Sequence, residues 1–267
     1  MSAWYFDHFA KGEWDDFIKA VKKGDYTEWV DYLVVFFQDN QKLPQPIMSE
    51  RNLAGIPLIG FPEISMYGAV PWGGFGANPM PDRLERLWKR DRALLAGGYP
   101  YSEGIFEDIN KIIMLSFYTG RHKTAEEAVM EYAKYEFSQQ YAREITDIIF
   151  MMEHTLDRYR DENAEENGKN HARFVLQHTE QVDEIYRRVL ALHDLLDIKT
   201  KSSWRWRILY LRALIDHELL HNNFYVSDKC ESYFNELTEI YYAEFANYYV
   251  APPTIRSLMK TREFYLV

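Results

Sequence analysis

The chain has one cysteine, Cys230. That excludes an internal disulfide and any metal site built on several thiolates. It lacks any stretch near the roughly 18 consecutive apolar residues that a membrane helix needs. Nothing in it therefore reads as membrane-spanning, although 47% of its residues are hydrophobic. Basic residues are outnumbered, 31 against 41 acidic ones, for a net charge of −10. They are also scattered, and "SSWRWR" is too short to form a patch, which argues against nucleic acid as a partner. The opening "MSAWYFDHFA" has neither a basic start nor an apolar core, so no signal peptide is expected. The expectation is a soluble protein whose compartment is left open. Strand-like residues begin directly after Ser2, as though a longer chain had been cut there.

Proline and glycine are missing from most of the second half. Eight of the ten prolines lie between Pro44 and Pro100, and nine of the thirteen glycines between Gly55 and Gly104. From Ile105 to Ala251 there is no proline, and the only glycines are Gly120 and Gly168. The first hundred residues therefore read as strands and elaborate loops, and the remainder as helix. In the first part, "AWYFDHF" predicts a strand and "EWDDFIKAVKKG" a helix closed by Gly24. "YLVVFFQD" and "IPLIGFPE", the latter ended by Pro62, are continuous apolar runs of the kind found in buried parallel strands. Asp82 with Glu85 predicts a capping box opening "DRLERLWKRDRALLAGG", with Gly97-Gly98 closing that helix.

Further on, a helix is expected from about Glu103 to Tyr118. Thr124 with Glu127 caps a long one running to about Leu156. "RYRDENAEENGKN" reads as a solvated break. Three more helices are expected at roughly 170–197, 203–222 and 228–250, with Pro252-Pro253 stopping the last. The expected fold is α/β plus all-α and predominantly helical. Residues 1–120 form a partial β/α barrel-like segment with an aromatic and glycine-rich loop, and residues 121–267 an α-helical bundle.

Each of the three strand-like runs ends in a carboxylate: Asp7, Asp39 and Glu63. In parallel β/α architectures, catalytic groups gather at the C-terminal ends of strands, because the loops there line one crevice. Acidic residues also begin loops and cap helices, so any one of the three has an ordinary explanation. After Glu63 comes "ISMYGAVPWGGFGANPMP", in which glycines alternate with Tyr67, Trp72 and Phe75, and Asn78 adds an amide. Flat rings beside hydrogen-bonding groups suit a sugar. The same loop reads equally as an aromatic plug sealing the end of a domain. "GGYPYSEGIFEDINK" adds Tyr101 and Glu103, the latter at an expected helix start. Glu63 is the first candidate for a catalytic group, followed by Asp7, Asp39 and Glu103. Trp4, Tyr67, Trp72, Phe75 and Tyr101 are candidate stacking surfaces, with Asn78 as a polar contact.

"LIDHELLHNN" contains His217-Glu218-Leu219-Leu220-His221, the H-E-x-x-H spacing of zinc peptidases. Any helix places residues i and i+4 on one side. The helix from Ser203 has an apolar seam at Trp204, Ile208, Leu211, Ile215 and Leu219, with the two histidines projecting opposite it. A third zinc ligand would have to come from Glu231, Glu236, Glu239 or Glu244 on the next helix. Nothing nearby reads as an edge strand for a peptide, so packing or surface histidines are expected; no metal ligand and no cofactor is assigned.

"WYFDHFAKGEW", "GFPEISMYGAVPWGGFGANPMPDRLERLW", "GGYPYSEGIFEDINKII" and "SSWRWRILYLRALID" together resemble a group of large, mostly uncharacterised bacterial proteins that look like glycoside hydrolases with a (β/α)8 barrel followed by a C-terminal α-helical domain. Their barrels are similar in plan to those of α-glucuronidases and β-N-acetylhexosaminidases. "YTGRHKTAEEAVMEYAKYEFS" is similar to a segment that follows the barrel in several such families. The resemblance implies a carbohydrate partner and hydrolysis of O-glycosyl bonds by paired carboxylates. It also implies that the helix around His217 is scaffold. A whole barrel takes about 250 residues, so this chain would supply only the last strands. Their open edges favour pairing with a second copy or with the missing N-terminal part of a longer chain. Two other expectations stay open: a non-catalytic glycan- or protein-binding module, and a zinc-dependent hydrolase using the histidine motif.

Overall fold

Two of the apolar runs form neighbouring strands. In a computed structural model that describes residues 6, 10–24, 30–37, 55–64, 78–101, 108–160 and 174–240, β1 (Leu33–Phe37) and β2 (Leu58–Pro62) are parallel, with Leu33 opposite Leu58 and Phe37 opposite Pro62. Side chains alternate across a strand, so Leu33, Val35 and Leu58 enter the core while Val34, Phe36, Ile59 and Phe61 are half-buried. Before them, α1 (Glu13–Lys22) buries Phe17, Ile18 and Val21 and is followed by Gly24 at φ +83°, in the left-handed conformation expected of that glycine.

Among the described residues the sheet has a third strand that was not expected. Gly97-Gly98 does not close a helix; it forms β3 (Gly97–Gly98), parallel to β2, so the sheet runs β1-β2-β3. The ladder continues beyond it, with Tyr99 N donating to Gly60 O and Tyr101 N to Pro62 O. The reason for glycine here is space. A Cβ on Gly98 would lie 2.3 Å from the Tyr118 ring, which itself packs edge-on against Trp88 at 5.3 Å. The expected first strand, "AWYFDHF", lies outside the described residues apart from Phe6.

Between β2 and β3 runs α2 (Pro81–Asp91), followed by a 3-10 turn at Arg92–Leu94. The capping box expected from Asp82 and Glu85 does not form: the residue before the helix is Met80, and no side chain caps it locally. Glu153 serves instead, accepting from Asp82 N at 2.7 Å and Arg83 N at 2.9 Å. Glu85 in turn accepts from Ala125 N at 2.6 Å. The unpaired N–H groups of a helix start attract any carboxylate that packing brings to them. Here the packing is tertiary.

The rest is mostly helical. After α3 (Asp108–Thr119), the Thr124–Glu127 capping box opens α4 (Ala125–Glu136) as expected. The long helix predicted from there is two helices, because the chain turns at Phe137 and resumes as α5 (Ala142–His154). Phe137 is buried edge-on against both Tyr132 and Trp206, and its carbonyl accepts from Thr200 Oγ1 at 3.2 Å. The supposed solvated break begins with β4 (Arg158–Arg160), paired antiparallel with β5 (Phe174–Leu176). The following helix therefore starts later than expected, as α6 (Val182–Leu195). Next come α7 (Ile198–Ser202), α8 (Trp204–His221) and α9 (Asp228–Ile240).

α8 is the axis of the bundle, with α6 and α9 packed against it. It has no single apolar seam; Leu209, Ala213 and Leu214 are buried as well as Ile208, Leu211 and Ile215, as befits a helix enclosed by neighbours. Within it Arg212 is wholly buried, bonded to Asp216, Thr155 and the Met152 carbonyl. No helix among the described residues is long and apolar enough to cross a membrane. The fold is predominantly helical with a small parallel sheet.

Candidate site at the strand ends

Glu63 follows directly on β2, at its C-terminal end, and is 7% exposed. Its backbone forms a parallel bridge with Tyr101, which extends the β3 side of the sheet, and Ile64 N donates to Tyr101 O at 3.0 Å. Phe61 packs against Tyr99 and Tyr101, with ring centroids 5.0 and 5.1 Å apart. The ends of β2 and β3 thus carry a carboxylate and a cluster of rings, with Tyr99 half-exposed.

One side chain organises the neighbouring loop. Asn110, on the first turn of α3 and 1% exposed, donates through Nδ2 to the carbonyls of Ile64 at 2.9 Å and Asn78 at 3.0 Å. Its Oδ1 accepts from Met80 N at 2.9 Å. Ile64 is where the chain leaves for the aromatic and glycine-rich loop, and Asn78–Met80 is where it returns. Asn110 therefore ties both ends of that loop together beside Glu63. A buried amide satisfied on both its donor and acceptor sides gives a rigid clasp. The sequence reading did not single it out; the one available signal was an amide inside the apolar run "DINKIIMLSF".

Of the residues expected at the site, Glu63, Asn78 and Tyr101 come together here, with Asn78 buried. Asp7, Asp39, Glu103, Trp4, Tyr67, Trp72 and Phe75 lie outside the described residues.

A concavity of about 300 Å³ elsewhere in the fold is lined by Arg83 of α2, Glu153 of α5, Asp157 and His178 among others. Three of its charged groups are already paired or capping. Arg83 holds both oxygens of Asp157, at 2.7 and 2.8 Å. Glu153 caps α2, and burial raises its carboxyl from 4.5 to about 7 against the opposing pull of the two N–H donors. The one cysteine is buried, which pushes its thiol well above the ordinary range and leaves it inert as a nucleophile.

The histidine motif sits on the last turn of α8. His217 Nε2 lies 3.7 Å and His221 Nε2 2.7 Å from Asp183 Oδ1 on α6. The third group is thus an aspartate upstream, not one of the glutamates expected on α9. Glu236 is paired with Arg207, Glu231 and Glu239 are not part of the cluster, and Glu244 lies outside the described residues. Glu218, the residue that would act as base in a zinc peptidase, is bound by Lys229 and by Ser227 Oγ at 3.3 Å.

Set beside known proteins, the chain matches no family model and no curated protein.

Proposed function

We propose that this chain supplies the closing strands of a (β/α) barrel and an attached helical bundle to a glycoside-hydrolase-like protein, with the carbohydrate held where β2 and β3 end. The observation that carries this reading is the Asn110 clasp, because it fixes both ends of the aromatic and glycine-rich loop next to Glu63. Two further features support it. The strands are parallel and ordered β1-β2-β3, as consecutive barrel strands are. The first residue past β2 is a carboxylate bridged to a tyrosine. In the proposed mechanism, Glu63 is one of two carboxylates flanking the glycosidic bond, drawing its partner from Asp7, Asp39, Glu103 or another strand of the complete barrel. Trp4, Tyr67, Trp72, Phe75 and Tyr101 stack on sugar faces, whereas Asn78 is buried where the loop returns and helps to hold the loop in place. The test is Glu63→Gln in the protein as it occurs, assayed for release of reducing sugar. Turnover should fall by roughly a hundredfold or more, the scale of a lost acid–base group; unchanged turnover removes Glu63 from the mechanism.

A second reading, glycan binding without cleavage, is favoured by the deep burial of Glu63, which suits a hydrogen-bonding role better than attack on an exposed bond. It predicts sugar affinity that is lost with Trp72→Ala and no hydrolysis by the whole protein. The hold of Lys229 and Ser227 on Glu218 counts against the zinc-hydrolase reading, which requires that carboxylate as a base.

A further inference from the structure

We propose that Asp183, His217 and His221 form a binding site for one divalent transition-metal ion of the zinc class, and that the ion clamps α6 to α8 in the helical bundle. This site is separate from the strand-end site and does not depend on the reading given to it.

The geometry comes first. The three residues each offer one ligand atom, and these atoms all lie within 4.8 Å of one another. Two of the spacings to Asp183 Oδ1 are 3.7 Å and 2.7 Å. Zinc–ligand bonds of about 2.0–2.1 Å in a tetrahedron put ligand atoms about 3.4 Å apart. The first spacing already suits this, and the second has to open by only about 0.7 Å. That adjustment falls on the exposed members, because the side chains of Asp183 and His221 are 62% and 55% exposed and free of tight packing on that side.

His217 is the fixed member. Its ring stacks on Tyr186 at 3.7 Å and 15°, and the side chain is mostly enclosed. Tyr186 and Asp183 both belong to α6, whereas both histidines belong to α8. One helix thus contributes the carboxylate and the ring support, and the other contributes the imidazoles.

Chemistry selects the ion. Two imidazole nitrogens and one carboxylate favour Zn²⁺, Cu²⁺ or Ni²⁺ over the all-oxygen preferences of Mg²⁺ and Ca²⁺. Three protein ligands leave a fourth position for water. With Glu218 tied to Lys229 and Ser227, no base from the motif is directed at that water, so the ion's role here is to join helices.

The experiment is a calorimetric titration of the purified protein with ZnCl2 at pH 7.5, with MgCl2 as control, alongside thermal unfolding with and without zinc. One Zn²⁺ per chain should bind, Mg²⁺ should not compete, and zinc should raise the melting temperature as ligands of the native state do. Asp183→Asn and His221→Ala remove exposed groups and leave the packing intact. Each should weaken binding by roughly tenfold or more and shrink the zinc-induced rise, and the double variant should show none. Glu63→Gln should bind zinc as the unaltered protein does. Failure to bind stoichiometric zinc overturns the proposal, as does zinc binding that survives in the Asp183→Asn/His221→Ala double variant.

Discussion

Glu153 offers the sharpest quantitative test of how this fold is held together. It is the sole side-chain cap found for α2 among the described residues, it comes from a helix some seventy residues away, and it is buried. Replacing it with glutamine keeps the shape and one carbonyl acceptor but turns an NH2 group toward the second backbone N–H. The protonated acid makes nearly the same set, one carbonyl acceptor and one hydroxyl; only against the carboxylate is a hydrogen bond to a buried donor lost, roughly 1–3 kcal/mol. The carboxylate brings a cost of its own. Burial lifts its pKa from 4.5 to about 7, so the folded chain holds a proton that the unfolded chain releases between those values. Because the folded value is the higher one, the contribution to stability is complete below pH 4.5 and is lost as pH rises through 7. Between pH 5 and pH 8 the unaltered protein should lose roughly 2–3 kcal/mol that Glu153→Gln does not lose. Urea unfolding of both proteins at the two pH values measures this directly. The variant should be close to the unaltered protein at pH 5, where the folded carboxyl is protonated, and the more stable of the two at pH 8. A variant that is clearly the weaker one at pH 8 would mean that the N–H donors and Arg83 outweigh burial and hold the carboxylate charged, refuting the reasoning.

Two other substitutions probe the sheet and the clasp. Asn110→Ala removes three buried hydrogen bonds and leaves Met80 N without its acceptor; it should cost roughly 2–4 kcal/mol in denaturant unfolding and abolish any sugar binding at the strand ends. Gly98→Ala drives a methyl group into the Tyr118 ring and should lower stability by roughly 1–3 kcal/mol. Combining it with Tyr118→Ala should cost less than the two changes added together, which thermal unfolding of the set checks.

Local signals carried much of the fold. The runs "LVVFF" and "LIGFP" became β1 and β2 because continuous apolar sequence has few uses in a small sheet other than a buried parallel strand. The Thr124–Glu127 box and Gly24 worked because every atom involved lies within one turn of chain. The misreadings share a different cause. Gly97-Gly98 follows a helix and so resembles its stop, yet the pair is required by Tyr118, a residue on α3. Asp82 and Glu85 have capping-box spacing, yet Glu153 and Ala125 N reach them first. No proline or glycine marks the turn at Phe137, whose ring is drawn out of helical register by Trp206 and Tyr132. The candidate site divides in the same way. Glu63 was legible as a strand terminus, whereas Asn110 and Asp183 act through partners on other elements, and no local pattern names them.

The most direct test of a carbohydrate site at the strand ends is a comparison of glycosidic-bond hydrolysis across a panel of polysaccharides and aryl glycosides, using the protein with Glu63 intact and with Glu63→Gln. At least one substrate should be cleaved by the former and turned over at a rate lower by roughly a hundredfold or more by the latter, with zinc binding unaltered between the two. Equal cleavage by both proteins, or neither cleavage nor binding of any glycan by the unaltered one, would contradict it.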